Sequence, residues 1–424
     1  MSSPSTLEWV ATALLALALL HTFCAPFFLR RAHHSPRHAG LWHLLGEVEV
    51  VFGFWAVVLV LALLALGGLA PTLHYLEGRS FVEPLFVGVI LLMAGTRPVL
   101  LWAHALVQAL ARRLPLPPAM ALYFLVLSLI PLLGSLITEP AAMTVAALML
   151  RDTVFRHALP ARLQYLTLGV LLVNVSVGGT LTHFAAPPVL MVAHVWQWDT
   201  PFMWMTFGWK STLAVLINAG LATLLMRRVL GAQSAPSLGD APQGVMGSAW
   251  INLGLMGLVV LCAHHPVLFI GVGLVFLGWV QAYPRQHERL MVREALMVAF
   301  FLAGLVVLGG LQTWWLRPAL QGLEADAVFW GAMALTAVTD NAALTYLASL
   351  VPGLSDGFKV ALVAGAVTGG GLTVMANAPN PAGVAILRPA FARQQVLPGP
   401  LLLAALAPTL ITAAVFVLSA SAAA

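Results

Sequence analysis

Residues 137–144 read ITEPAAMT and residues 338–345 read VTDNAALT, so one acidic motif occurs twice, each time inside apolar sequence. Each copy is followed by a second matched stretch, GGTLTHFAAPP at 178–188 and GGGLTVMANAP at 369–379. Both copies set an acid after a Thr and before a helix-disturbing residue: Glu139 before Pro140, and Asp340 before Asn341. Interrupted apolar segments at corresponding positions of two halves are how a membrane-embedded binding site shows in a sequence.

The chain can hold such a site only if it is embedded in lipid, and its composition requires that. It is 61% hydrophobic and 8% charged, with a mean hydropathy of +0.95, far too little charge to cover a water-facing surface. Apolar stretches of the ~20 residues needed to cross about 30 Å of hydrocarbon recur along its length. The short alternating segments of a membrane barrel are not seen. The expected class is therefore an all-α polytopic membrane protein. The first apolar run, residues 6–29, lacks a basic leader and reads as an uncleaved helix. Cys24 and Cys262 both lie in apolar segments and form no framework. The net charge of +5 reads as a topology signal and not as a nucleic-acid footprint.

Arginine positions set the expected topology, because basic loops stay cytoplasmic. Clusters occur at Arg30/Arg31/Arg37, Arg112/Arg113, Arg151/Arg156/Arg162, Arg227/Arg228, Arg285/Arg289/Arg293 and Arg388/Arg393. With all six on one side, both termini are expected outside, and residues 1–43 form an N-terminal helix and basic loop. A first repeat covers 44–230, with helix two at 44–69 and a third span at 85–110, kinked near Gly95 and Pro98. Arg113 and Arg151 share a side, yet the apolar stretch between them is too short for two full spans. A re-entrant hairpin at 119–150, with Glu139 at its tip, resolves this; such irregular backbone needs protein or water around it. A span at 163–195, broken at Gly178–Pro188, and a helix at 206–226 follow.

Residues 231–247, rich in Gly, Ser, Pro and Ala, read as a cytoplasmic linker. The second repeat, 248–424, has a hairpin at 327–351, a broken span at 358–387 and a last span at 401–418. Its hairpin enters from the opposite side. The expected fold is thus an inverted-repeat transporter fold of about 10 spans plus two re-entrant hairpins and two broken helices.

The chemistry follows from cost. A carboxylate at the bilayer centre costs about 2.5–3.5 kcal/mol even on insertion scales, so Glu139 and Asp340 need a proton, water or a cation. Burial penalises the charged carboxylate and a bound cation favours it, which sets protons and Na⁺ in competition. Hard cations take oxygen ligands. Thr138, Glu139, Thr339, Asp340 and Asn341 offer oxygens at the tips, with Na⁺ expected at Glu139 and Asp340. In the breaks, Gly178, Gly179, Thr180, Thr182, Gly369, Gly370, Thr373, Asn377 and Asn380 are expected to support the site, through freed carbonyls and half-helix ends. A lone Thr often bonds its own backbone, and a Gly pair often serves close packing. Glu47 and Glu49 are either interfacial charges or, with His183, an accessory proton path. Glu83, Arg97 and Lys210 are candidate partners for acids inside the bundle. No cofactor is expected beyond transported Na⁺ and H⁺.

Laid out in this way, the chain resembles the ion transporter superfamily from about Leu44 onward, and most closely a family of sodium/proton antiporters within it, related to NhaD-type antiporters and sodium–dicarboxylate symporters. Carboxylate symporters of that superfamily carry Ser-Asn-Thr at each tip and a Thr-Pro-Pro-Asn-like run at each break. Here Thr138-Glu139-Pro140 and Thr339-Asp340-Asn341 stand at the tips, and Ala186-Pro187-Pro188-Val189 and Ala378-Pro379-Asn380-Pro381 at the breaks. The resemblance implies alternating access, a homodimer and a bacterial inner membrane. Acidic tips suit cation/proton exchange, so Na⁺/H⁺ antiport is the leading expectation, ahead of Na⁺-coupled symport of a small carboxylate or oxyanion. The HExxH pattern is absent and His183 and His194 lack an obvious nucleophile partner, so no enzyme is expected.

Overall fold

Helices account for all regular secondary structure in the computed structural model, which describes residues 4–231, 245–287 and 290–421. The first six are α1 (Thr6–His34), α2 (Ala39–Leu45), α3 (Val48–Gly67), α4 (Leu69–Glu77), α5 (Val82–Ala94) and α6 (Arg97–Ala111). Next come α7 (Pro118–Ile137), α8 (Glu139–Thr153), α9 (Ala161–Gly178), α10 (Pro187–Ala193), α11 (Thr200–Met203) and α12 (Trp209–Gly231). Then follow α13 (Val245–Leu261), α14 (Pro266–Ala282), α15 (Pro284–His287), α16 (Val292–Gly309) and α17 (Thr313–Leu320). The last five are α18 (Ala325–Thr336), α19 (Asn341–Ser349), α20 (Asp356–Gly369), α21 (Asn380–Leu387) and α22 (Pro398–Ser421).

Among the described residues, seven helices are long and apolar enough to cross a membrane, or eight if the α5–α6 pair, bent by 65° at Gly95–Thr96, counts as one. α13 and α14, at 17 residues each, reach about 25 Å at 1.5 Å per residue. The first hairpin corrects its length argument. Its arms are unequal, 20 residues in α7 and 15 in α8, and α7 alone is long enough to cross. The expected linker is shorter than read: Gly231 ends α12 and Val245 to Gly247 open α13, while the rest of it lies outside the described residues.

Packing separates the helices into two bodies. α7–α12 and α18–α22 pack mainly on one another, and α1–α6 and α13–α17 do likewise, with α6 on α7 the broadest seam between them. The first body holds the core: the spans at Pro118–Ile137 and Ala161–Leu181 are 72% and 78% buried, against 28% for Glu49–Gly67 in the second. Large side chains such as Val57, Leu61, Leu225, Leu274 and Leu403 lie on the outside, as lipid contact demands.

Small residues let the inner helices cross closely. A Cβ on Gly371 would collide with the backbone of Val173, and one on Gly370 with Ser176, so α9 and the break after α20 touch main chain to main chain. Ser176 Oγ donates to Val367 O at 2.8 Å across that crossing. The half-helices then exchange partners: α10 packs on α19, and α21 packs on α8.

Candidate functional site

Each acid stands at the start of a helix because the residues around it stop one helix and begin another. Thr138 has φ +74° and ψ 151°, a region sparsely open to a β-branched residue, so α7 cannot continue through it. Pro140 at the second position of α8 has no N–H to leave unpaired there. Asp340 caps α19: its Oδ1 accepts from the amides of Ala342 at 2.8 Å and Ala343 at 3.2 Å. Both carboxylates therefore sit at helix N-termini, where orphan amides favour negative charge.

The breaks are fastened to the hairpins in parallel ways. Thr182 Oγ1 donates to Ser135 O at 2.7 Å, and Thr373 Oγ1 donates to Ala337 O at 2.8 Å. A Cβ on Gly178 would meet Pro131 O, and one on Gly369 would meet Met333 O; each first glycine lies against the first arm of its hairpin. The second glycines approach the tips. Gly179 lies under the Glu139 carboxylate, and Gly370 beside the Asn341 amide. The tip after α18 is also held by Asn341 N–H, which donates to Ala376 O at 3.1 Å.

One bond joins the halves at the acid. Asn377 Nδ2 donates to Glu139 Oε2 at 2.7 Å, so the second break holds the carboxylate of the first tip. Glu139 is fully buried, and its Oε1 has no hydrogen-bond partner among the described residues. The same holds for Thr138 Oγ1, Asn377 Oδ1, Asn380 Oδ1 and both side-chain polar atoms of Asn341. Chemistry assigns the asparagine oxygens. Asn377 turns its amino group to a carboxylate, and Asn380 turns its own to Gly370 O and Thr373 O, both at 2.8 Å. The oxygens must then point elsewhere. Buried polar atoms seldom go unpaired, and a group of them marks a place for water or an ion. Glu139 and Asp340 are near enough for their charges to interact.

The remaining candidates fall around this centre. Thr180 Oγ1 bonds to Val177 O and Ser211 Oγ, at 2.8 and 2.6 Å, and so braces the first break. Thr339 is half-buried beside the tip. Glu47 forms an ion pair with Arg293. Glu49 lines an apolar groove of about 610 Å³ with Gly53, Phe300 and Gly304, and its charge reaches Asp340. His183 is outside the centre, with Nδ1 2.9 Å from Thr200 Oγ1. Lys210 lies over the Trp209 ring at 5.7 Å and forms no ion pair with an acid among the described residues.

Sequence reasoning missed Ser135, whose hydroxyl donates to Gly178 O at 2.7 Å and accepts from Leu181 N–H at 2.9 Å. It stands one helical turn before Glu139, and a search one turn back from each tip finds it. Asn174 and Asn218 were also missed. Asn218 Nδ2 donates to Asn174 Oδ1 at 3.0 Å, and Asn174 Nδ2 to Leu127 O at 2.7 Å, behind the first break.

A family model described as "Putative Na+/H+ antiporter" matches residues 6–419. The chain belongs to this antiporter family. No curated protein matches it. Membership in the antiporter family, together with the apolar helices, makes the chain an integral membrane protein that carries small cations, and a transporter instead of an enzyme. For a member of the antiporter family the donor set is apt: carboxylate, amide and hydroxyl oxygens, as a hard monovalent cation requires. Among the described residues no three His, Cys, Asp or Glu side chains gather as a transition-metal site would need.

Proposed function

We propose that this protein is a secondary active Na⁺/H⁺ antiporter in which Glu139 and Asp340 bind Na⁺ and protons in competition. The observation that carries the reading is Glu139: a fully buried carboxylate held on one oxygen by Asn377, while its other oxygen and those of Thr138, Asn377 and Asn380 have no hydrogen-bond partner among the described residues. A lone buried charge is heavily penalised. Either a proton or a cation removes the penalty, and the same oxygens cannot serve both at once. Asp340, capped by two amides, is the second exchangeable group, and two acids allow more than one proton per Na⁺.

The parallel hairpins and breaks support an inverted repeat, and the exchange of half-helices supports a site built by both halves. Movement of the inner body against the outer one, by an elevator or a rocking step, would expose that site to each side in turn. The relation to NhaD-type antiporters and dicarboxylate symporters, the homodimer and the outward termini belong to this reading. A particle of twice the chain mass in native mass spectrometry checks the dimer.

Proteoliposomes with an imposed ΔpH test the exchange. Added Na⁺ should dissipate the gradient, with an apparent KM that rises on acidification because protons compete for the ligands. Glu139→Gln and Asp340→Asn should each reduce the exchange at least a hundredfold. Robust Na⁺-driven proton efflux in Asp340→Asn would remove Asp340 from the site. Uptake of a labelled dicarboxylate without any exchange would replace antiport by symport, which the two acids at the tips oppose.

A further inference from the structure

Between the two bodies lies a second polar feature that the exchange site leaves unused. Glu83 in the first turn of α5, His264 in the turn between α13 and α14, His183 in the first break and His194 at the end of α10 line one cavity of about 200 Å³. Two of these residues come from the outer body and two from the inner. The His194 and His264 rings face each other at 5.3 Å between centroids. Glu83 forms no ion pair among the described residues; its Oε2 accepts from Ser80 Oγ at 3.0 Å. An acid and three imidazoles gathered on one seam are an unusual lining for an apolar protein.

A second, very small cavity of about 10 Å³ continues from the first along the same seam. The two share Phe184 and Leu190, and the small one is lined by Thr138 and Pro140 of the hairpin tip. Thr138 is 3% exposed and its hydroxyl has no hydrogen-bond partner among the described residues, so an unpaired oxygen adjoins the far end. At about 10 Å³ the small cavity has room for about one water, so the route is narrowest at this point. Phe184 lines both cavities. Its ring stands edge-on to His183 at 5.4 Å, and it is only half-buried.

We propose that this seam is the cation's route to the site from one face of the membrane, with the Glu83–imidazole cavity as an antechamber for a hydrated monovalent cation and Phe184 as the gate before Thr138 and Glu139. The proposal rests on the antiport reading for what passes, but not for where the passage runs. A rotation of one phenyl ring would join the two cavities without moving either body. Glu83 would then concentrate cations at the mouth, and the imidazoles would keep it wet.

Thiol accessibility tests the route without relying on transport. In a background lacking Cys24 and Cys262, Thr138→Cys is labelled with a small cationic methanethiosulfonate in sided proteoliposomes, and Ala185→Cys, on the same small cavity, serves should Thr138→Cys not fold. Labelling from one face should be slow, and about tenfold faster when Phe184→Ala is added. An unchanged rate in both backgrounds overturns the gate. Glu83→Gln should raise the KM for Na⁺ several-fold with kcat unchanged; an unchanged KM overturns the antechamber. Wild-type exchange with indifferent labelling sinks the route alone. Gated labelling in a protein without exchange sinks the antiport reading and leaves the route standing.

Discussion

Thr138 carries a conformation that its own side chain opposes. Holding a β-branched residue near φ +74° costs on the order of 1–3 kcal/mol, and such strain persists where it sets a geometry. Here it turns the chain sharply enough to aim Glu139 into the site. Thr138→Gly should therefore leave the melting temperature in detergent unchanged or higher, while Na⁺/H⁺ exchange falls at least tenfold through loss of the hydroxyl and of the fixed turn. A parallel drop in both would mean that Thr138 is only structural. Gly179 gives the complementary case. A Cβ there would strike the Glu139 carboxylate, so Gly179→Ala should push the acid away from Asn377 and abolish exchange, whereas Gly357→Ala, in open space, should exchange as wild type.

At the scale of elements, the decisive contact is between the second break and the first hairpin. A hydrogen bond to a charged group contributes about 1.5–3 kcal/mol, so Asn377→Ala should raise the apparent KM for Na⁺ by roughly tenfold or more, measured in the same ΔpH assay. The matching position in the first break is Ala186, which has no polar side chain to give; Asp340 accepts from the Ala342 and Ala343 amides of its own helix. This asymmetry was not legible from the repeat, which equates the two tips. What was legible is the placing of the elements: the expected breaks at Gly178 and Gly369 fall at the last residues of α9 and α20, because Gly and Pro leave local marks on apolar sequence. The apolar run at 401–418 also located α22 within a few residues. Ser135, Asn174 and Ser176 were hidden for the opposite reason. Each is an ordinary polar residue within a helix, and its bonds reach residues distant in sequence. The unequal arms of the first hairpin escaped length counting because Thr138, not the midpoint of the apolar stretch, ends α7.

At the scale of the whole molecule, the arginine bookkeeping and the packing bear on different questions. Charge orders the loops, while packing assigns each helix to a body, and no count of basic residues could have separated α6 from α7. The Val173–Gly371 crossing is the part of that packing with the widest effect. With two backbones in direct contact there, the broken helices have no room to slide past each other, and in the proposed cycle the two acids would travel together in one moving piece. The outer body would then give way at its edge with lipid. Hydrophobic mismatch has a cost of fractions of a kcal/mol per ångström, so the carrier should sense the thickness of its bilayer. Turnover in vesicles of graded acyl-chain length should pass through a maximum, while the equilibrium affinity for Na⁺ stays flat. The membrane, on this view, is a spring in the transport cycle.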